Sequence, residues 1–183
     1  MADLSLVEIE KLISQHPDFP KPGILFRDVF PVLRDPHAFK SMMNHLLKHI
    51  RELYCQDGNK VDVVVGLDSR GFLFAPLLAL ELGAAFVPVR KKGKLPGETS
   101  SLSYTLEYGT AEFEIQNESI KAGQRVIVVD DLLATGGTMS AGCQLVQKTG
   151  GTVLEAMVII ELVDLKGADK VTSCAPVFSL FKY

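Results

Sequence analysis

Two adjacent carboxylates follow an apolar run in the segment VIVVDDLLATGGT, residues 126–138. They belong to Asp130 and Asp131. A loop of small and hydroxyl-bearing residues comes next, made of Ala134, Thr135, Gly136, Gly137 and Thr138. The backbone N–H groups of such a loop, its two hydroxyls and the N-terminus of a following helix can together hold an anion. The pattern therefore predicts an anion site, and it is neither a Walker A loop nor a dinucleotide fingerprint.

The acid pair needs a partner other than that anion, because two carboxylates would repel it. The vicinal hydroxyls of a sugar are the natural candidate, since two carboxylates can accept a hydrogen bond from each. Charge-assisted hydrogen bonds of this kind contribute about 1.5–3 kcal/mol each. The residues therefore predict a ribose 5-phosphate site. A turn and helix cap with incidental acids is the alternative that they leave open.

Two further segments carry groups that could bind anions. GLDSRGF, residues 66–72, places Asp68, Ser69 and Arg70 between two glycines. RKKGKLPG, residues 90–97, has the cations Arg90, Lys91, Lys92 and Lys94. Each segment also has an ordinary interpretation, the first as an exposed turn with a surface arginine and the second as a solvated charged loop.

Strands and helices in alternation would position these groups. Strands are predicted at residues 61–66, 84–89, 125–130, within 152–162 and at 177–181. Helices are predicted at residues 4–14, 35–53, 71–82 and 138–149. Near-continuous Val and Ile runs separated by helices indicate a parallel sheet covered on both faces, which is an α/β fold. Ligands of such sheets sit beyond the carboxyl ends of the strands.

Two stretches depart from this alternation. Residues 16–31 hold four prolines and a glycine, which predicts an irregular arm. Residues 103–115 alternate around Gly109, which predicts a hairpin that protrudes from the fold. A long polar insertion in a compact domain is usually functional or disordered.

Composition excludes several classes of function. The chain has 183 residues and a net charge of -3, so it offers no basic field for nucleic acid. Its three cysteines lack metal-ligand spacing and are expected to be reduced thiols of a cytosolic protein. The start, MADLSLVEIEKL, indicates an amphipathic helix rather than a signal peptide. No apolar run approaches the roughly 18 residues of a membrane span.

The segment VVDDLLATGGT resembles the phosphoribosyl pyrophosphate signature of the type I phosphoribosyltransferases. The resemblance extends over nearly the whole chain, through HPDFPKPGILFRD (16–28), GLDSRGFLF (66–74), RKKGKLPGET (90–99), YTLEYG (104–109) and ELVDLKG (161–167). These segments are most similar to the adenine-specific members. The resemblance implies a Rossmann-like type I fold and the reaction of adenine with phosphoribosyl pyrophosphate to give AMP and pyrophosphate in purine salvage. It also implies a cytoplasmic homodimer and Mg²⁺ carried by the substrate, with no protein ligand cage.

The same resemblance assigns roles to individual residues. Asp68, Ser69 and Arg70 would hold the pyrophosphate group, with a cis peptide at the Asp-Ser bond, and Lys91 and Lys94 would add positive charge. Glu107 matches the catalytic carboxylate of a closing loop, and Tyr108 would cover the site.

The base would be held by the Pro-rich arm. Backbone groups around Leu25 and Arg27 would bind the adenine edge, and the side chain of Leu162 would stack from below. The implied organisation is an N-terminal helix and hood at residues 1–34 and a core at 35–183, with a catalytic lid at 91–117.

Two other functions stay open. Within the fold, the base could be a 6-oxopurine or uracil. Enzymes for 6-oxopurines typically carry an Asp where Ala134 stands, and the uracil enzymes lack the Pro-rich arm and YTLEYG. A regulatory protein that binds the sugar phosphate without turnover would be expected to lose Glu107 or the basic stretch, and both are present.

Overall fold

A sheet of mostly parallel strands organises residues 53–183. The computed structural model describes residues 2–19, 21–106 and 109–183. The strands of this sheet are β3 (Val63–Leu67), β4 (Ala85–Lys91), β5 (Thr99–Leu106), β6 (Gly109–Gln116), β7 (Arg125–Leu133), β8 (Thr152–Glu161) and β9 (Val177–Lys182). Within the described residues their order is β5-β6-β4-β3-β7-β8-β9. Strands β4, β3, β7, β8 and β9 pair in parallel. β6 pairs antiparallel with β4, and β5 pairs antiparallel with β6, so this hairpin extends one edge of the sheet.

The parallel strands are buried on both faces, as their runs of Val and Ile predict. Val63 and Val65 point to one face, Val64 points to the other, and all three are fully buried. The helix α5 (Gly137–Lys148) packs on the first face, against β5, β7 and β8. The helix α4 (Ala75–Leu82) packs against β3 and β4, and α6 (Gly167–Val171) packs against α5. The predicted α/β fold class is confirmed.

Two predicted elements of this unit differ from those observed. The helix expected at residues 71–82 is divided into a 3₁₀ turn at Arg70–Leu73 and α4, which begins only at Ala75. The hairpin expected at residues 103–115 is present but begins earlier, at Thr99, and its base meets β4. There β6 pairs with β4, and Phe113 and Ile115 are buried. Alternation predicts a strand but not whether its edge is paired.

Residues 1–52 form a separate compact unit. Its elements are α1 (Leu6–Glu10), β1 (Ser14–Pro17), β2 (Leu25–Asp28), α2 (Phe30–Arg34) and most of α3 (Pro36–Tyr54). Asp35 caps α3, because its carboxylate accepts hydrogen bonds from the N–H groups of His37 and Ala38 at 2.9 and 3.1 Å. The long helix predicted after Asp35 is therefore confirmed.

The arm predicted to be irregular contains regular structure. β1 and β2 pair antiparallel, with Ser14 opposite Asp28 and Pro17 opposite Leu25, and α2 follows. α1 is shorter than the helix predicted at residues 4–14. β1 and β2 have four residues each, which is too short for the alternation of apolar and polar residues to be recognised. The prolines alone therefore predicted an irregular segment.

None of the helices within the described ranges has the length and apolarity that crossing a bilayer requires.

Candidate active site

The acid pair lies inside β7 rather than after it. The strand was predicted to end at Asp130 but continues to Leu133, pairing with β8. Both side chains line the same pocket, and Oδ1 of Asp130 accepts a hydrogen bond from the N–H group of Asp131 at 2.9 Å. Asp131 is 5% exposed, whereas Asp130 keeps more of its surface open. The two carboxylates therefore have different surroundings.

Arg70 forms an ion pair with Asp131. Its Nε lies 2.9 Å from Oδ2 of Asp131. The 3₁₀ turn that carries Arg70 approaches β7 closely, since a Cβ on Gly71 would lie 2.5 Å from the carbonyl oxygen of Val129. Glycine at this position allows the approach. The predicted cis peptide between Asp68 and Ser69, directly before Arg70, is present.

The pKa values of the two acids are raised. Burial raises the pKa of Asp130 well above its usual value, and the neighbouring Asp131 carboxylate raises it further. Burial also raises the pKa of Asp131, while the positive charge of Arg70 opposes the rise. Asp131 is thus the better stabilised carboxylate, and Asp130 is the acid that lacks a compensating charge of equal strength. A ligand that donates hydrogen bonds would favour the charged form of Asp130.

The loop between β7 and α5 is fixed by contact with a second turn. Gly136 has a φ of 79°, and a Cβ on it would lie 2.2 Å from the carbonyl oxygen of Gly167. A Cβ on Gly167 would lie 2.1 Å from the carbonyl oxygen of Ala134. Two glycines therefore let the backbones of residues 134–137 and 166–167 touch. The loop shape depends on this contact.

A pocket of about 360 Å³ opens over these groups. Its lining includes eight predicted residues, namely Arg70, Asp130, Asp131, Ala134, Thr135, Gly136, Gly137 and Thr138. Leu132, Leu133 and Met139 complete the lining and were not predicted. Leu132 and Leu133 line the pocket because β7 extends to Leu133, and Met139 lines it because it lies in the first turn of α5. The sequence did not predict either boundary. The pocket combines backbone N–H donors, two hydroxyls, one guanidinium and two acids, which suits a phosphorylated sugar.

Comparison with known proteins identifies the family. The phosphoribosyl transferase domain model matches residues 33–182. The adenine phosphoribosyltransferase of Homo sapiens is 51% identical over 183 residues, covering 100% of this chain and 99% of that protein. The chain belongs to the adenine phosphoribosyltransferase family. The likeness is not confined to the signature loop.

Solved structures of adenine phosphoribosyltransferases share the fold. The Saccharomyces cerevisiae enzyme, solved with an imino-altritol bisphosphate and adenine, has a TM-score of 0.91 and 46% identity. That match covers 96% of this chain and 97% of the yeast chain. The Trypanosoma brucei enzyme, solved with AMP, pyrophosphate and ribose-5-phosphate, has a TM-score of 0.87 and 29% identity, with coverage of 100% and 81%. The predicted family is confirmed.

Arg90 connects Asp68 with the basic segment of residues 90–97. Arg90 Nε lies 3.2 Å from Oδ2 of Asp68, and a terminal nitrogen of Arg90 donates to the carbonyl oxygen of Lys94. Ser69 separates Asp68 from Arg70 in the cis turn. The described lining of the pocket does not include Lys91 or Lys94. Their role in charge neutralisation stays a prediction.

A buried acid shapes the basic segment. Glu114 accepts the N–H groups of Lys94 and Leu95 at 2.8 and 2.7 Å. Burial raises the pKa of Glu114, but the backbone hydrogen bonds around it outweigh burial and lower the pKa overall. Glu114 thus fixes the turn after β4. In the sequence, Glu114 only alternates with apolar neighbours, and this pattern does not show whether the acid is buried or exposed.

The remaining predicted residues are distributed over both units. Leu25 and Arg27 lie on β2 in the first unit. Leu162 follows β8, is half-buried and donates its N–H to the carbonyl oxygen of Leu133, which lies just before the loop. Glu107 and Tyr108 lie outside the described residues. Their assigned roles stay predictions.

Proposed function

We propose that this chain transfers the 5-phosphoribosyl group from phosphoribosyl pyrophosphate to adenine, giving AMP and pyrophosphate. It would act in purine salvage as an enzyme of the pentosyltransferase class. The observation that carries the proposal is the pocket at the end of β7. It joins a phosphate-sized loop to an acid pair in a chain that is 51% identical to the human adenine phosphoribosyltransferase. The T. brucei relative was solved with AMP, pyrophosphate and ribose-5-phosphate, which supports the same substrates here.

The assigned groups act on different parts of phosphoribosyl pyrophosphate. The N–H groups and hydroxyls of residues 134–138 would bind the 5′-phosphate. Asp130 and Asp131 would accept hydrogen bonds from the ribose hydroxyls. Asp68, Ser69 and Arg70, with the positive charges of Lys91 and Lys94, would hold the pyrophosphate. This division keeps Asp130 and Asp131 on the ribose, away from both phosphate groups.

The reaction breaks the bond between C1′ and the pyrophosphate oxygen and forms the bond between C1′ and N9 of adenine. The N9 proton leaves the base, and the bonding electrons leave with pyrophosphate. Positive charge grows on the ribose ring at the transition state, so an anion brought by the lid of residues 91–117 would stabilise it. Glu107 is proposed for this role or as acceptor of the N9 proton, and Tyr108 would cover the pocket.

Mg²⁺ would enter with the substrate. Mg²⁺ usually binds through one or two carboxylates together with substrate phosphates. The oxygen-rich lining of the pocket is compatible with an ion that is carried on the pyrophosphate, without a cage of protein ligands. Bound to pyrophosphate, the ion would neutralise charge on the leaving group.

The base is proposed to be adenine, bound by the N-terminal unit. Residues 1–34 would form the hood and 35–183 the core. β2 is an extended strand, so its backbone C=O and N–H groups around Leu25 and Arg27 can offer an acceptor for N6 and a donor for N1. Leu162 would stack against the ring. Hypoxanthine reverses this hydrogen-bonding pattern.

The test is the ratio of kcat/KM for adenine and hypoxanthine at saturating phosphoribosyl pyrophosphate. A site that leaves polar groups unpaired with the wrong base should favour adenine by about 10⁴-fold. A ratio near one, or a preference for hypoxanthine or uracil, would contradict the assignment of the base. Absence of turnover with any base would support a regulatory protein instead.

A homodimer and a cytoplasmic location are also proposed. The exposed apolar side chains of Leu73, Leu77 and Leu80 follow one another at helical spacing on the 3₁₀ turn and α4, with Leu77 41% and Leu80 78% exposed. Such a face suits a second copy of the chain. Sedimentation should give twice the 20.0 kDa of one chain. Leu77→Lys with Leu80→Lys should lower that mass, and an unchanged dimer would exclude this face.

A further inference from the structure

Glu161 is a buried acid at the last residue of β8, and its partners lie on the neighbouring strand β9. It is 6% exposed. Its carboxylate accepts a hydrogen bond from the hydroxyl of Ser179 and lies 3.5 Å from Nζ of Lys182. A buried carboxylate is costly unless it is paired and hydrogen-bonded. These contacts therefore hold the end of β8 against β9.

The backbone around Glu161 joins the ends of three strands. Glu161 stands opposite Leu133 of β7, and its carbonyl oxygen accepts the N–H of Tyr183, which follows β9, at 2.9 Å. Val163 donates its N–H to the carbonyl oxygen of Tyr183 at 2.8 Å, and Leu162 donates to that of Leu133 at 2.9 Å. These hydrogen bonds fix where the chain leaves the sheet after Glu161.

The segment after Glu161 reaches two parts of the proposed substrate site. Leu162 is the residue proposed to stack on the base. A 3₁₀ turn at Val163–Leu165 follows, and Gly167 then brings its backbone against residues 134–136 of the phosphate loop. Because this segment is short, the position at which it leaves β8 sets the positions of both contacts.

Glu161 itself stands outside the substrate pocket. The lining of that pocket, within the part of the chain that the structure describes, includes Leu133 and Gly136 but not Glu161. An effect of this acid on binding must therefore pass through the residues that it positions.

Glu155 offers a matched comparison on the same strand. It is 4% exposed and accepts a hydrogen bond from the hydroxyl of Tyr54 at 3.0 Å. Both acids are thus buried in β8 and bound by a hydroxyl, but only Glu161 leads directly into the turn that contacts the phosphate loop. If both acids served the fold alone, their removal would have the same consequences.

We propose that Glu161 is a positioning residue for the transfer reaction. By holding the end of β8 against β9, it sets the segment of residues 162–167. That segment places Leu162 against adenine and Gly167 against the loop that binds the 5′-phosphate. The inference rests on the proposed function and adds to it a residue that lies outside the pocket.

The test is the steady-state kinetics of Glu161→Gln, which keeps the size of the side chain and removes its charge. KM for adenine and KM for phosphoribosyl pyrophosphate should each rise about 3- to 10-fold, the size expected for one lost hydrogen bond. The value of kcat should change by less than about twofold, because the loss affects binding in the ground state and the transition state alike.

Three further variants show how the acid acts. Ser179→Ala should raise both KM values, and Ser179→Thr, which keeps the hydroxyl, should restore them. In a Leu162→Ala background, Glu161→Gln should no longer change KM for adenine, whereas its effect on phosphoribosyl pyrophosphate should persist. Glu155→Gln is the matched control, which should lower the melting temperature as Glu161→Gln does and leave both KM values unchanged.

Binding of ribose 5-phosphate, measured by calorimetry, separates this inference from the proposed reaction. Glu161→Gln should weaken that binding about 3- to 10-fold whether or not the protein turns adenine over, because Gly167 contacts the phosphate loop. Unchanged binding, or an equal loss in Glu155→Gln, would overturn the role of Glu161. Normal ribose 5-phosphate binding without adenine turnover in the wild type would instead overturn the proposed function.

Discussion

The buried acids near the two ends of β7 have different partners. At the amino end, Glu155 is 4% exposed and accepts a hydrogen bond from the hydroxyl of Tyr54 at 3.0 Å. Arg125, which begins β7, places its positive charge near the same tyrosine. At the carboxyl end, Asp130 and Asp131 are adjacent acids, and Arg70 contacts Asp131.

The pKa values reflect this difference. Burial, followed by the charge and hydrogen bond of Glu155, raises the pKa of Tyr54 to about 12, so the tyrosine stays a donor to the acid. At the other end burial raises the pKa of both aspartates, and the charge of Asp131 raises that of Asp130 further. The amino end is arranged to stabilise the fold. At the carboxyl end the pKa values of two neighbouring acids in a pocket are raised, which is typical of a functional site.

The largest expected effect is at Arg70. Arg70→Met would leave Asp131 buried without its cation and remove a group proposed to hold pyrophosphate. Loss of one partner of a buried charge pair typically amounts to 2–5 kcal/mol, so kcat/KM for phosphoribosyl pyrophosphate should fall on the order of 10²- to 10³-fold. Arg70→Lys keeps the charge and should lose less. Wild-type efficiency in Arg70→Met would show that the pair is structural only.

Asp130→Asn should lower activity and raise stability. Loss of a charge-assisted hydrogen bond to ribose should reduce kcat/KM for phosphoribosyl pyrophosphate about 10- to 100-fold. Removal of an acid whose folded-state pKa is raised should increase the free energy of unfolding at neutral pH by on the order of 1 kcal/mol. Steady-state kinetics and urea unfolding measure the two effects. A variant that is both less active and less stable would contradict the comparison.

The pH dependence of Asp130→Asn sharpens the same point. The pKa of Asp130 is raised above its usual 3.8, so the folded state binds more protons than the unfolded state above that pH. The wild-type free energy of unfolding should therefore fall as pH rises from about 3.8 through the folded-state pKa, relative to Asp130→Asn. Parallel stability curves for the two proteins would exclude a raised pKa.

The smallest effect on activity is expected at Glu155. Glu155→Gln removes the charge that accepts the hydrogen bond from Tyr54, so the free energy of unfolding should fall by about 1–3 kcal/mol. The melting temperature should then fall by about 2–4 °C per kcal/mol. The pKa of Tyr54 should move from about 12 toward its usual 10, measurable by spectroscopic titration. A change in kcat/KM of more than about twofold would contradict a purely structural amino end.

The chemistry of the site was predictable because it is local in the chain. Asp130, Asp131 and the loop of residues 134–138 are contiguous, and backbone donors after a buried strand bind anions whatever lies farther away. The strands and helices of the parallel sheet were predicted for the same reason, since their periods repeat over neighbouring residues. The family was predicted from motifs in the sequence, and the cis peptide was implied by the resemblance to that family.

The tertiary structure decided which distant groups meet. Arg70 and Asp131 are far apart in sequence but within 2.9 Å in space, and Gly136 touches Gly167 across another such separation. Pairing of β6 with β4 placed the carboxylate of Glu114 within hydrogen-bonding distance of the N–H groups of Lys94 and Leu95. These contacts depend on distances that arise only when the sheet assembles, because charge and hydrogen-bond energies fall steeply with separation. The sequence by itself determined which chemical groups stand together in the loop, and the fold determined which distant residues meet and neutralise them.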